Sequence, residues 1–149
     1  AEAYEFEPDC AKLSYSQKRM MLLSIAHLVV KDFDRKGSSC SVRTISQRLD
    51  IPIILVQQLV RELIDSGIVA ETKCHGGNAP AKDKSGDCYQ PAFDISKMTV
   101  SRVIRMWEEH GRHEVEFGSS EEVQKISEKM QEFMAKIAES PVDSLLKSI

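Results

Sequence analysis

The sequence predicts a mainly helical α+β fold with a small β-hairpin, and three observations support this prediction. Two segments with apolar residues at helical spacing lie on either side of a break at Asp50-Ile51-Pro52. Gly67 ends the second segment. Two strand-like runs follow at 68–73 and 88–93, with a polar stretch between them. Two helices in a tight turn, followed by a hairpin, is the order of a winged helix-turn-helix.

The residues at the ends of the two motif helices support this assignment. Ser41 is the predicted N-cap of the first helix, since its hydroxyl can accept a hydrogen bond from a backbone N–H. Pro52 suits the first turn of the second helix, where a missing N–H costs nothing. One apolar stripe predicts the buried face of that second helix: Val56, Leu59, Val60 and Leu63. Pro91, in the second hairpin strand, predicts that this strand lies at a sheet edge.

The chain divides into three predicted parts: an extended lead-in over 1–13, a winged-helix domain over 14–111 and a helical extension over 112–149. The lead-in is acidic and shows no helical or strand periodicity. No run of about 20 apolar residues occurs, so the sequence predicts no membrane span. Because the sequence begins with Ala1 rather than Met, we expect it to be a piece of a longer protein.

The domain has a further predicted helix on each side of the motif. Ser14 and Gln17 predict a capping box for the first helix, which runs to about Phe33. This helix is apolar on nearly every side, so it must be covered by the rest of the domain or, in part, by a second copy of the chain. Thr99 is the predicted cap of the helix after the hairpin, which extends over 100–110.

The extension begins at Ser119-Ser120-Glu121-Glu122, which predicts a second capping box. Apolar residues then alternate at spacings of three and four, the pattern of a heptad seam: Val123, Ile126, Met130, Phe133 and Ile137. The seam spans about two heptads, fewer than the three or four that are typical of a free coiled coil. The helix over 119–140 is therefore expected either to pack back onto the domain or to pair with a partner copy.

Four cysteines lie far apart in the sequence: Cys10, Cys40, Cys74 and Cys88. In an intracellular chain of this size, such scattered cysteines predict free thiols. Cys74 and Cys88 flank the polar stretch of the hairpin and could face each other, so a disulfide between these two is the alternative.

The sequence carries no recognisable catalytic or metal-binding constellation. No Gly-rich phosphate loop and no cluster of carboxylates is present. His110 and His113 lack a third ligand nearby, and the set Cys74, His75 and Cys88 lacks a fourth. We therefore expect no enzyme activity, no bound metal and no cofactor.

Nucleic-acid binding is a separate question, because the second helix of a helix-turn-helix reads base edges in the major groove. The candidate contacts to nucleic acid or to a protein partner are Arg43, Ile54, Gln57, Gln58, Arg61 and Lys73. Gln57 and Gln58 could pair with adenine, and Arg61 with guanine. Two residues of the same face count against DNA, since Ile54 is apolar and Asp65 is repelled by phosphate.

The charge balance favours a protein partner over DNA. The chain has a formal net charge of −3, and residues 41–93 contain six basic and six acidic side chains. Neutralisation of phosphate supplies most non-specific DNA affinity, so a neutral motif is poorly suited to DNA. The favoured function is a non-catalytic interaction domain that self-associates, through its first helix or the 119–140 helix, or binds another protein. A DNA-binding transcription regulator is the alternative.

The order of elements resembles that of winged-helix regulators that sense iron–sulfur clusters. The residues that carry the resemblance are Ile45 to Leu63, Gly67-Ile68-Val69, Tyr89 and Thr99-Val100. Those regulators carry three closely spaced cysteines after the wing, whereas this sequence has no cysteine after Cys88. The resemblance therefore implies the fold but not a cluster.

The chain also resembles, over most of its length, the soluble C-terminal domain of the YihY/BrkB inner-membrane family, long labelled ribonuclease BN. The matching residues are Tyr4-Glu5-Phe6-Glu7, Ile51-Pro52, Tyr89-Gln90-Pro91-Ala92 and Leu145-Leu146. This resemblance implies a domain on the cytoplasmic face of the bacterial inner membrane, attached to transmembrane helices upstream. The old label implies tRNA processing by a ribonuclease as a second alternative, although no residues suited to hydrolysis accompany it.

Overall fold

The computed structural model describes residues 12–74, 87–110 and 120–149. Its helices are α1 (Tyr15–Lys36), α2 (Val42–Leu49), α3 (Ile53–Asp65), α4 (Val100–Glu109) and α5 (Glu121–Glu139), with 3₁₀ turns at Ile95–Lys97 and Leu146–Ser148. Its strands are β1 (Cys40–Ser41), β2 (Val69–Lys73) and β3 (Asp87–Pro91), which form an antiparallel sheet in the order β1-β3-β2. The predicted α+β winged helix with additional helices at both ends is confirmed. Among the described helices, none combines the length and the apolar character needed to cross a bilayer.

Three of the predicted helix caps are confirmed. Ser14 Oγ accepts a hydrogen bond from the Gln17 N–H, and the Gln17 side chain accepts one from the Ser14 N–H, each at 3.2 Å. Ser41 and Thr99 cap α2 and α4 through their hydroxyl groups. α1 extends a few residues beyond its predicted end and stops at Gly37, whose φ of 61° lies in the left-handed region that favours glycine.

The capping box predicted at the start of α5 is wrong. The N-cap is Ser120, whose Oγ accepts a hydrogen bond from the Val123 N–H at 3.3 Å. A capping box needs Glu or Gln three residues after the cap, and here that position holds Val123. Only one half of the motif therefore forms. Ser119, the first residue of the predicted cap, lies outside the described residues.

The turn between α2 and α3 is built from backbone and a single hydroxyl group. Asp50 ends α2 with a φ of 54°, a conformation that aspartate tolerates better than most residues. The Ser46 carbonyl accepts from the Ile51 N–H at 3.2 Å, and Ser46 Oγ donates to the Ile51 carbonyl at 2.7 Å. Pro52 then precedes the first helical residue of α3 in an extended conformation. The predicted helix-turn-helix is thus confirmed in its local geometry.

The prediction that the Pro91 strand lies at a sheet edge is wrong, because β3 is the central strand. The proline is tolerated because β1 pairs only with Tyr89 and Cys88. The Ala92 N–H donates to the Ile68 carbonyl on the β2 side at 3.0 Å, so the nitrogen of Pro91 points to the other side. On that side β1 has already ended, and no N–H is needed.

The core is organised around α1. Its fully buried side chains include Leu22, Ile25 and Val29, and α1 packs against α2, α3, α4, β3 and the C-terminal 3₁₀ turn. The expectation that the rest of the domain wraps this helix is confirmed. The predicted apolar stripe of α3 is also buried: Val56, Leu59, Val60 and Leu63.

The apolar seam of α5 does not pack onto the domain. Its first four members are 39% to 67% exposed: Val123, Ile126, Met130 and Phe133. α5 instead approaches α4 with the neighbouring side of the helix, which carries Met134 and Ala138. The helix therefore packs back onto the domain only through this side, while four seam residues stay exposed, and pairing of the seam with a partner copy stays a prediction.

Cys74 and Cys88 form a disulfide across the base of the hairpin, so the prediction of free thiols is wrong for this pair. Cys40 is a free thiol and is buried. Cys10 lies outside the described residues. The bond joins two residues that are 14 positions apart in the sequence.

Reduction of the Cys74–Cys88 bond should lower the free energy of unfolding by about 3 kcal/mol, because the bond closes a loop of about 15 residues in the unfolded chain. Urea unfolding of the wild-type chain with and without dithiothreitol measures the difference. The variant Cys74→Ser should show the same loss without reductant, and reductant should not change it further. Equal unfolding free energies for oxidised and reduced wild type would contradict the expectation.

Candidate nucleic-acid interface

The face of α3 that points away from the core is exposed. Gln57, Gln58 and Arg61 lie there, opposite the buried stripe that packs on α1. Ile53 and Ile54 are 44% and 37% exposed at the start of the same helix. Ile54 was predicted on this face from the sequence, whereas Ile53 was not. Ile53 lies outside the apolar stripe of α3, and this position could have indicated its exposure. Polar and apolar groups of α3 thus share one accessible face.

The remaining candidate contacts lie on the elements that flank α3. Arg43 is exposed in the first turn of α2, and Lys73 is exposed at the end of β2. All six predicted contact residues are therefore accessible. The lysines of the polar hairpin segment, Lys82 and Lys84, lie outside the described residues.

Carboxylates accompany these basic side chains. Burial raises the pKa of Tyr89 on β3, and the charges of Glu71 and Asp87 raise it further, while Arg61 acts in the opposite direction. Arg61 therefore shares its surroundings with two acidic groups. Asp65 adds a further exposed carboxylate at the C-terminal end of α3. Over the described part of the chain, the basic residues of this surface alternate with acidic ones, as the charge count predicts.

A buried polar network attaches α2 to α1. Arg48 Nη1 donates to both carboxylate oxygens of Asp32, at 2.8 Å each, and Cys40 Sγ donates to Asp32 Oδ2 at 3.2 Å. Asp32 is buried, so loss of either partner would leave charge or a hydrogen-bonding atom uncompensated. Arg48 therefore fixes the orientation of α2 and is not a contact to a ligand. Sequence spacing gave no sign of this pairing.

A second polar cluster attaches α3 to its neighbours. Lys18 Nζ of α1 lies 2.9 Å from Glu62 Oε2, and Trp107 Nε1 of α4 donates to Glu62 Oε1 at 3.3 Å. Tyr15 stacks on Trp107 with ring centroids 5.3 Å apart, and its hydroxyl donates to Glu108. Glu62 thus points its charge into the domain and away from the exposed face of α3. Trp107 is a core anchor, as expected for an aromatic residue on an apolar face.

The described residues offer no metal centre. Within 12–74, 87–110 and 120–149, no group of three or more His, Cys, Asp or Glu side chains is placed to hold a metal ion. His75 and His113, which the sequence analysis considered, lie outside these ranges.

The sequence matches no family model and no curated protein. Solved structures do match. CymR (YrzC), the global cysteine regulator of B. subtilis, is 21% identical with a TM-score of 0.55, over 91% of this chain and 94% of that one. IscR of T. potens is 18% identical with a TM-score of 0.52, over 87% and 82%. CymR of Staphylococcus aureus is 14% identical with a TM-score of 0.53, over 88% and 93%.

These likenesses show the fold. The chain has a winged-helix fold similar to those of these regulators. That agrees with the resemblance to winged-helix regulators found in the sequence, whereas none of the comparisons supports an origin in the YihY/BrkB family. The matching proteins are regulators, which is compatible with a function other than catalysis.

Cys40 should make folding less favourable above pH 9. Burial, together with the neighbouring Asp32 carboxylate, raises the pKa of Cys40 from 9.0 to about 12 in the folded chain. Between these values the unfolded chain releases a thiol proton that the folded chain retains. The unfolding free energy should therefore fall by about 1.4 kcal/mol per pH unit through this group alone.

Urea unfolding of the wild-type chain and of Cys40→Ala, at pH values on either side of 9, measures this contribution. Below pH 9 the two proteins should respond to pH alike, and above it the wild type should lose stability faster. Tyrosine and lysine titrations are common to both proteins and cancel in the comparison. Parallel pH profiles across the whole range would show that Cys40 ionises as readily in the folded chain as in the unfolded one.

Proposed function

We propose that this chain is a DNA-binding transcription regulator that places α3 in the major groove. The observation that carries the proposal is the accessible face of α3, with Gln57, Gln58 and Arg61, in a fold similar to that of transcription regulators over 87% to 91% of the chain. Two further charged side chains of the motif helices, Arg48 and Glu62, form ion pairs with Asp32 and Lys18 of α1. The exposed side chains of α3 remain the natural readers of DNA.

The chemistry of the α3 face fits base edges. Glutamine pairs with the N6 and N7 groups of adenine, and arginine with the O6 and N7 groups of guanine. Ile53 and Ile54 lie at the N-terminal end of α3, the end that lies deepest in the groove in helix-turn-helix proteins. Apolar side chains there pack on thymine methyl groups. Ile54, which counted against DNA in the sequence, is thereby compatible with it.

The neutral charge balance determines how this binding should work. Among the residues that the structure describes, few cations lie beside α3, Arg43 and Lys73 among them, so non-specific affinity for DNA should be low. Discrimination must then come mainly from base contacts of α3. The inner-membrane location and the tRNA processing implied by the YihY/BrkB resemblance form no part of this proposal.

Arg61→Ala should weaken binding to a preferred DNA site by about 1–3 kcal/mol and relax the preference at one base pair, because a bidentate arginine–guanine contact is lost. The preferred site is first selected from random duplexes with the wild-type chain at low salt. Fluorescence anisotropy then measures the affinity of both proteins for the selected duplex.

Lys125→Ala is the matched control, since it removes one exposed positive charge on α5, far along the chain from the motif. It should leave the affinity unchanged. Two results would overturn the DNA proposal: no retention of wild type on duplex DNA at about 50 mM salt, or equal losses for Arg61→Ala and Lys125→Ala.

The exposed seam of α5 supports a second, compatible proposal, that two copies of the chain pair through it. Val123, Ile126, Met130 and Phe133 form one apolar stripe that the domain leaves uncovered. A heptad pattern is complementary to itself, which suits a second copy related by a two-fold axis. Paired copies would also present two α3 helices to the two halves of a DNA site.

Phe133→Asp should prevent this pairing, because it places a charge in the middle of the apolar seam. Analytical ultracentrifugation across a range of protein concentrations measures the effect. Gln124→Asp adds the same charge on the other side of α5 and should pair like the wild type. A wild-type chain that stays monomeric at all concentrations would remove the pairing proposal and leave the DNA proposal standing.

A further inference from the structure

A cleft of about 550 Å³ lies between α4, α5 and the C-terminal segment, apart from the exposed face of α3 and from the seam. Its volume lies within the range of small-molecule sites in proteins, roughly 300–1,000 Å³. The carboxylates of Glu109 and Asp143 line it, together with cationic and apolar side chains: Lys97, Arg102, Arg105, Met106, Met134 and Ala138. Neither the winged-helix fold nor the proposed DNA contacts require such a cleft.

One end of the cleft is held rigidly by the C-terminal segment. The N–H and the hydroxyl of Ser101 both donate to the Asp143 carboxylate, at 2.8 Å and 2.6 Å. The Val100 N–H donates to the Ser144 carbonyl at 2.9 Å, which joins the first turn of α4 to the same segment. A site formed before its ligand arrives loses less entropy on binding.

The charged lining has an excess of cations, although the chain as a whole has a net charge of −3. Asp143 already accepts two hydrogen bonds from Ser101, so its charge is engaged. Arg105 faces Glu109, which also lines the cleft, with 3.8 Å between Nε and Oε1, so three cationic side chains stand against two carboxylates. The guanidinium of Arg102 lies over the Phe93 ring, with Cζ 5.1 Å from the ring centroid, a contact that uses the face of the guanidinium and no hydrogen bond. The cleft is therefore suited to an anion.

The opposite wall supplies apolar surface. Met106 comes from α4, and Met134 and Ala138 come from the side of α5 that faces α4. Methionine side chains adapt to ligands of irregular shape. An ion without an apolar part would leave this wall unused.

We propose that the cleft binds a small amphipathic anion, a carboxylate or phosphate monoester that carries an apolar group. Arg102 and Arg105 hold the anionic group through charge-assisted hydrogen bonds. Met106, Met134 and Ala138 cover the apolar part. The site does not depend on DNA binding, and it is tested on the chain without DNA.

Methionine-methyl NMR tests the site directly, because the six methionines include two in the cleft and two internal controls. Met106 and Met134 report on the cleft, while Met98 is fully buried in the hydrophobic core and Met20 is 66% exposed on α1. The full chain is titrated with phenyl phosphate and, separately, with benzylamine, a cation with a similar aromatic group. Phenyl phosphate should shift the Met106 and Met134 methyl signals to saturation, without matching shifts at Met20 and Met98.

Two variants separate the two halves of the site. Arg105→Gln should weaken phenyl phosphate binding about tenfold, the effect of one lost charged hydrogen bond. Ala138→Phe should abolish binding by filling the cleft without removing a charge. Lys125→Gln, the matched control for Arg105→Gln, should bind phenyl phosphate like the wild type. The dispersion of the methyl signals shows that each variant is folded.

Three results would overturn the proposal. No shift at millimolar phenyl phosphate would show that the cleft holds no anion. Equal shifts with benzylamine would show that charge does not select the ligand. Shifts of Met134 that follow protein concentration rather than ligand concentration would assign this side of α5 to contact between copies of the chain.

Discussion

The enclosure of α1 is the constraint on which the rest of the structure depends. A helix that is apolar on nearly every side requires extensive cover. α2, α3, α4, β3 and the C-terminal turn supply it for most of α1, while Met20 and Phe33 stay exposed. Hydrophobic burial alone would allow these elements to slide against α1. The pairs Asp32–Arg48 and Lys18–Glu62 fix them, because each joins one charged residue of α1 to one motif helix. The geometry of the helix-turn-helix is therefore set from inside the domain.

The same two pairs determine the character of the exposed surface. Each pairs a charged side chain of the motif with an opposite charge on α1, one basic and one acidic, although the Arg48 side chain stays 48% exposed. Neither pair adds net charge to the surface. A neutral surface gives little attraction for phosphate, whereas glutamine, arginine and isoleucine side chains still match base edges. Under the DNA proposal, a protein with this surface depends on base contacts for most of its affinity for DNA.

Much of the fold follows from the sequence because local signals determine it. Ser14, Ser41 and Thr99 cap helices through bonds to residues three positions away, and the α3 stripe follows from periodicity. Apart from the α5 cap, where the N-cap is Ser120 and the third position holds Val123, the errors have non-local causes. The heptad pattern of α5 marks an apolar face but not what covers it. The two-residue strand β1 makes β3 central, and no sequence signal marks so short a strand. In the candidate site, the exposed residues were predictable, whereas the Asp32–Arg48 pair, which orients α2, joins residues on different helices and was not.

α4 connects the two proposed sites. Its inner side carries Trp107, which donates to Glu62 of α3, and its outer side carries Arg102 and Arg105 of the cleft. A ligand in the cleft changes the position of α3 only if the domain has two conformations that differ in the position of α4, and the ligand binds one of them more tightly. A displaced α4 would withdraw the Trp107 N–H from Glu62 and leave that carboxylate to Lys18 alone. Because Trp107 is buried and its indole N–H would then lack a partner, α3 would have to follow α4 or the domain would lose stability. The hydrogen bond between Trp107 and Glu62 is thus the contact through which a ligand in the cleft would change the position of the exposed face of α3.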